Sequence, residues 1–131
     1  MTYRQIYLAA LRMLSENEVD GDVEDYEDRA GYLLATFCAQ AAPADLLFRT
    51  ERGMETTVLT LSGCVELDDT FPLCDAFVPP AEYFLASMLA LDENEELSDR
   101  LFERYSDAMA SIEDSLPARP LSISDRYGLI Y

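Results

Sequence analysis

Apolar side chains recur every three or four residues in four stretches of the chain, which predicts four principal α-helices. Thr2 stands directly before the first stripe and is a suitable N-cap. The second stripe is expected to end at Pro43, because proline cannot continue a helix. The two stripes consist of Tyr3, Ile6, Tyr7, Ala10, Leu11 and Leu14, and of Tyr26, Ala30, Leu33, Leu34, Phe37, Cys38 and Ala41.

The third helix is predicted to start at Pro79 and Pro80, since the first turn of a helix tolerates proline. It is apolar around most of its circumference, which predicts a central, buried position. The fourth helix carries apolar residues from residue 97 to residue 116, nearly all of them four apart, and Pro117 and Pro120 are expected to end it.

Between the second and third helices the spacing of apolar residues is no longer helical. Residues 56–61 are rich in β-branched side chains, Ser62 and Gly63 form a turn signal, and residues 64–67 are again apolar. This arrangement predicts a β-hairpin. The expected fold is therefore mainly α: a small bundle of about four principal helices with a β-hairpin insertion. It forms a single domain over residues 1–120 with the hairpin near 56–67.

The last segment, residues 121–131, has an alternating pattern that differs from the helical stripes. We interpret it as an extended C-terminal arm whose apolar side chains need a partner surface. Two alternatives stay open, since the arm can fold back on its own bundle or bind another subunit. The residues that would make the contact are Leu121, Ile123, Tyr127, Leu129, Ile130 and Tyr131.

The composition narrows the classes of function. The 131 residues include 26 acidic and nine basic residues, all nine of them Arg, for a net charge of −17. Such a surface argues against binding nucleic acid or an anionic membrane, because both depend on cationic side chains. The chain has no His, which excludes Ser–His and Cys–His nucleophile pairs. We expect a binding or structural protein without enzymatic activity, cofactor or metal.

The cysteines and the first residues of the chain indicate the cellular compartment in which the protein is expected. Cys38, Cys64 and Cys74 are an odd number without a C-x-x-C spacing, which predicts reduced thiols in a cytosolic protein. Residues 1–14 are too polar for a signal peptide, and no apolar run has the length of a membrane span.

Residues 16–27 fit the twelve-residue EF-hand pattern at several positions. Gly21 falls at position 6 and Glu27 at position 12. However, Glu16 and Glu18 stand where a shorter Asp or Asn normally fits, and a second loop is missing from the sequence. We therefore favour an acidic connection between two helices over a calcium site.

Two arginines beside the hairpin, Arg49 and Arg52, have less evident acidic partners than the other basic residues. They are candidates for a salt bridge between subunits.

The order of these pieces resembles the head–tail adaptor (connector or head-completion) proteins of tailed bacteriophages. The resemblance is carried by DYEDRA at residues 25–30, the hairpin insertion, FVPPAEYFLA at residues 77–86, ERY at residues 103–105 and the trailing apolar arm. It implies a virion protein of the neck, assembled in the bacterial host cytoplasm as a homo-oligomeric ring. Its implied partners are other copies of itself, the portal protein and the next neck or tail protein. Residues 121–131 would be the docking arm.

The acidic charge also fits a different class. Small acidic helical proteins mimic DNA and bind basic nucleic-acid enzymes, and residues 16–28 would then form the phosphate-like row. An enzyme is a third class, which would need carboxylates in a cleft with a strongly raised pKa.

Overall fold

The computed structural model describes residues 1–19, 21–56, 59–60 and 62–116. Within them the chain is mainly helical, which confirms the predicted class. The helices are α1 (Tyr3–Glu16), α2 (Val23–Glu51), α3 (Val78–Ala90) and α4 (Glu95–Asp114), and a 3-10 turn at Asp75–Phe77 precedes α3. No described helix has the length and apolar character that a membrane crossing requires.

The predicted β-hairpin is not seen in the described part of the chain, where residues 59–60 and 62–67 form no strand. Residues 57, 58 and 61, which belong to the same prediction, lie outside the described residues. The amide of Val65 donates to the carbonyl of Gly31 on α2, at 3.1 Å. Val65 thus pairs with the main chain of α2 rather than with a second strand.

Helix α1 begins with a capping box. The Thr2 hydroxyl accepts from the amide of Gln5, and the Gln5 side chain accepts from the amide of Thr2. The predicted stripe is buried along this helix, with Leu11 partly exposed. Thr2 also bridges Thr70, which holds the segment before α3 against the start of α1.

Helix α2 corrects the prediction that Pro43 ends it, because it continues to Glu51. A proline inside a helix removes one hydrogen bond and costs about 3 kcal/mol. Pro43 lies on an exposed side of α2, where water can solvate the carbonyl of Ala39 that loses its partner. Burial of Ala41 and the hydrogen bonds of the Asp45 carboxylate to Arg49 and to the amide of Cys74 favour continuation of the helix past this proline.

The four helices alternate in direction. Tyr26, near the start of α2, donates a hydrogen bond to Glu93 just before α4, so α2 and α4 start at the same end. Phe37 of α2 then packs against Tyr105 of α4, with ring centroids 6.1 Å apart. Helix α3 runs the opposite way and contacts all three other helices, which confirms its central position. It begins with Pro79 and Pro80 in its first turn.

Gly31 lets residues 64–65 approach the outer side of α2. A Cβ built there would lie 2.7 Å from the carbonyl oxygen of Val65 and 2.8 Å from Sγ of Cys64. We expect Gly31→Ala to lower the free energy of unfolding by about 1–2 kcal/mol, despite the better helix propensity of alanine. Urea unfolding measures this change in stability. Gly53 is unsuitable as a control, because its φ of 65° would strain any other residue even though the space around it is open. A matched control is Gln40→Ala, on an exposed side of the same helix. A stabilised Gly31→Ala protein would show that the segment is not held against α2.

Candidate interaction surfaces

The C-terminal half of α2 holds an ion pair whose carboxylate is buried and whose guanidinium is partly exposed. Asp45 is buried; its Oδ2 accepts from Nε of Arg49 at 2.9 Å, and its Oδ1 accepts from the amide of Cys74 at 2.8 Å. The same guanidinium donates to the carbonyls of Pro72, at 2.9 Å, and Glu55, at 3.2 Å. These bonds tie both ends of the segment between α2 and α3 to one point of the helix.

This network bears on the predicted intersubunit salt bridge. Arg49 has an acidic partner within its own chain, so the reason for assigning it to a second subunit no longer holds. The hydrogen bond from Arg49 to Asp45 also raises the pKa of the guanidinium. Arg52 lies beyond the end of α2, exposed, with its guanidinium carbon 3.7 Å from the ring centroid of Phe48. Arg52 therefore remains a candidate for a salt bridge to another subunit.

An apolar groove of about 440 Å³ runs beside the outer face of α2. Its apolar walls are Ala39, Ala42, Pro43 and Leu46 from the helix and Leu59 from the following segment, and its polar lining residues are Asp45, Arg49 and Thr56. Leu46 is 47% exposed, and Ala39 and Pro43 are exposed as well. Sequence reasoning missed this groove, although the spacing of three and four from Ala39 to Leu46 was a signal for it.

A second surface feature, charged rather than apolar, is an acidic end of the bundle. The end of α1, the start of α2 and the turn before α4 meet there, since Tyr26 donates to Glu93 and Gly21 lies against both. The exposed carboxylates of this acidic end belong to Glu16, Glu18, Asp22, Glu24, Asp25, Asp28, Asp92, Glu93, Glu95 and Glu96. Those beside the N-termini of α2 and α4 are favoured by the helix dipoles.

The described side chains and amides of the segment that resembles an EF-hand form hydrogen bonds and an ion pair within the protein. Amides of Glu18 and Val19 bond to carbonyls in the last turn of α1, with Glu18 in the left-handed region at φ 61°. Asp22 caps α2, and Glu27 forms an ion pair with Arg4 at 3.4 Å. Among the described residues, from which Asp20 is missing, no group of acidic or cysteine side chains is arranged to hold a metal ion. These contacts agree with an acidic helix connection.

Burial raises the pKa of several ionisable groups in and around the core. Burial raises the pKa of Cys38 to about 11, and Tyr3, which contacts its sulfur at 3.8 Å, also has a raised pKa because of burial. Burial likewise raises the pKa of Cys74. Cys64 is exposed. On α3, partial burial alone raises the pKa of the Glu82 carboxyl.

Tyr26 gives a measurable probe of the acidic end. Its pKa is raised to about 12 by burial and by its hydrogen bond to Glu93. We expect Tyr26→Phe to lower the free energy of unfolding by about 1.5 kcal/mol at neutral pH, because Glu93 loses its donor. The unfolded state loses the Tyr26 proton near pH 10, so the stabilisation is complete below that pH and is lost between pH 10 and 12.

The measurement is urea unfolding of both proteins from pH 7 to pH 12. The difference in stability between them should shrink across the alkaline range, while the titration of Cys38 is common to both and cancels. Tyr32→Phe on the same helix is the control, since Tyr32 is 61% exposed. A difference that stays constant up to pH 12 would contradict a protonated Tyr26 bound to Glu93.

The predicted arm lies outside the described residues, so the placement of its six apolar positions is not part of this structure. The residues described do bring together an acidic end, an apolar groove on α2 and the exposed Arg52. The chain matches no protein-family model, and the searches of curated proteins and of solved structures found no match either.

Proposed function

We propose that the protein is a head–tail adaptor of a tailed bacteriophage, a structural virion protein that forms a homo-oligomeric ring between the portal and the tail. The observation that carries the proposal is the apolar groove on α2, in a protein otherwise rich in exposed carboxylates. A ring is built from heterologous contacts, in which one surface of a subunit binds a different surface of its neighbour. An exposed apolar patch is the kind of surface that such a contact buries.

The charge supports the same proposal. DNA must pass through a neck ring without being held, and an acidic surface repels phosphate. In the ring, residues 56–67 and Arg52 would face the neighbouring subunit or the next neck protein. The arm, with Leu121, Ile123, Tyr127, Leu129, Ile130 and Tyr131, would bind a neighbour or the portal protein.

The first test is the gene neighbourhood. Sequencing the DNA that flanks the gene should reveal portal, capsid and tail genes, and a locus without virion genes would overturn the proposal. The second test is assembly. The purified chain, mixed with the portal protein encoded beside it, should form rings visible by negative-stain electron microscopy.

A Leu46→Glu variant should fail to assemble while remaining folded, because the charge enters the apolar groove. Leu8→Glu is the matched control, since Leu8 is 54% exposed on the outer side of α1. Equal assembly of both variants would remove the groove from the ring contact.

The acidic end favours a second candidate, a DNA mimic that binds a basic nucleic-acid enzyme. Its carboxylates come from three separate segments, two of which are joined by the Tyr26–Glu93 hydrogen bond. A mimic should displace a fluorescent DNA duplex from a basic DNA-binding protein, with a strong dependence on salt. Neutralising Glu95 and Glu96 should abolish that displacement, whereas neutralising Glu113 and Asp114 at the other end of α4 should not.

A further inference from the structure

We propose that in the unassembled chain residues 121–131 dock in cis on the outer face of α2, in the apolar groove beside Leu59. This inference concerns the chain before it meets any partner, and it uses the same groove that the proposed ring contact would bury on assembly. It identifies the site that covers the apolar arm of a single subunit.

The groove continues a face of α2 that the chain already covers elsewhere. Residues 64–65 cover this face at Gly31, and Ala35, one turn further on, is also buried. Further along the same side, Ala39 and Leu46 are exposed and Ala42 is partly exposed, with the Asp45–Arg49 ion pair at the edge of the groove. A second segment can therefore extend the cover along one continuous strip.

The end of α4 lies within reach of this strip. Helices α2 and α4 run in the same direction, and Phe37 and Tyr105 are at the same level. Leu116 follows Tyr105 by eleven residues, as Phe48 follows Phe37, so the described chain ends near the level of Phe48. The groove thus lies near the end of the bundle at which the described chain ends, at Leu116.

The length of the remaining segment is sufficient. Leu46 follows Phe37 by nine residues, so at about 100° per residue it faces away from α4. Passing around half of the helix requires about 17 Å, given a helix diameter of 10–12 Å. Fifteen residues follow Leu116 and span up to about 50 Å when extended. Residues 117–121 suffice for the crossing, and the later apolar positions then lie along the groove.

Charge and hydrophobicity fit this occupant. The segment after Leu116 carries two Arg and one Asp, a net charge of +1, and the other 116 residues carry seven Arg against 25 acidic residues, a net charge of −18. An alternating apolar segment left in water is a site for aggregation, so covering it has a large favourable free energy. A short tether also gives the chain's own segment an effective concentration of millimolar order, which a second copy does not reach in dilute solution.

Paramagnetic NMR of the full chain tests the proposal. Cys64, the exposed thiol, is replaced by Ser, and a nitroxide label is attached to a cysteine introduced by Ser124→Cys, which directly follows Ile123 of the arm. Cys38 and Cys74 are buried and escape labelling. We expect loss of the amide signals of Ala39, Ala42 and Leu46. The signals of Leu8 and Arg12 on the exposed side of α1 should stay.

A mixed sample identifies the source of the segment. An isotope-labelled chain without nitroxide is combined with an unlabelled chain that carries it, and the α2 signals should then persist. Their loss in the mixed sample would overturn docking in cis and assign the groove to another copy. Persistence of the α2 signals in the first sample would overturn the proposal altogether. Introducing Leu46→Glu into the labelled chain should restore the α2 signals, and Leu8→Glu should leave them broadened.

Discussion

Asp45→Ala is expected to lower the free energy of unfolding by about 3 kcal/mol, because removing a buried carboxylate leaves its hydrogen-bonding partners without compensation. Asp45 is buried on α2 and bonds to Arg49 and to the amide of Cys74. Without the carboxylate, that amide loses its acceptor and the guanidinium loses its counter-charge. Arg49 would then hold Pro72 and Glu55 less firmly, so the segment between α2 and α3 should loosen together with the helix.

The measurement is urea unfolding followed by circular dichroism, together with amide hydrogen exchange at Cys74. The matched control is Asp25→Ala, which removes another carboxylate four residues before an arginine of α2. Asp25 pairs with Arg29 at 3.4 Å, but its side chain is 54% exposed, so the expected change is at most about 0.5 kcal/mol. Similar losses for the two variants would mean that burial does not distinguish the two pairs.

Local sequence signals predicted those parts of the fold that depend on local physics. The helical stripe after Thr2, the two prolines at the start of α3 and the apolar circumference of α3 each specify an element without knowledge of distant contacts. The structure confirms all three. The same is true of the mainly α class, since four periodic stretches cover most of the described chain.

The errors arose where a distant contact outweighs a local rule. Pro43 costs one hydrogen bond, but Ala41 and Asp45 are buried in the packed bundle, and a rule about proline does not include that burial. Once α2 was expected to stop at Pro43, Arg49 had no helical neighbour four residues earlier and its pairing with Asp45 was missed. The groove was missed for the same reason, because Ala39 and Leu46 share a face only when the helix continues.

The β-branched run before Ser62 predicted a hairpin because strand propensity reflects packing on a half-buried surface. In the described residues around it, the main chain of Val65 bonds to α2 instead. A segment that covers a helix presents similar apolar side chains to one that pairs with a strand. The pattern of residues therefore does not distinguish the two.

Phe37→Ala is expected to be the most destabilising of the substitutions, with a loss of about 4 kcal/mol in the free energy of unfolding. Phe37 is fully buried, and its ring contacts Phe71, Phe84 and Tyr105, at centroid distances of 6.4, 5.9 and 6.1 Å. It thus joins α2 to α3, to α4 and to the segment before α3. Removing the ring leaves a cavity that three elements would have to close together, and close packing limits such relaxation.

The control for this prediction is Phe102→Ala. Phe102 also packs against Tyr105, with centroids 5.2 Å apart, but it is 42% exposed on α4, so its removal creates no enclosed cavity. We expect a loss below about 1.5 kcal/mol for this variant, since less apolar area returns to water. Both proteins are compared by urea unfolding at the same pH, with the slope of the transition as a test for residual structure. A Phe37→Ala protein as stable as Phe102→Ala would show that the aromatic cluster does not hold the helices together. The packing of α2 against α3 and α4 would then have to be revised.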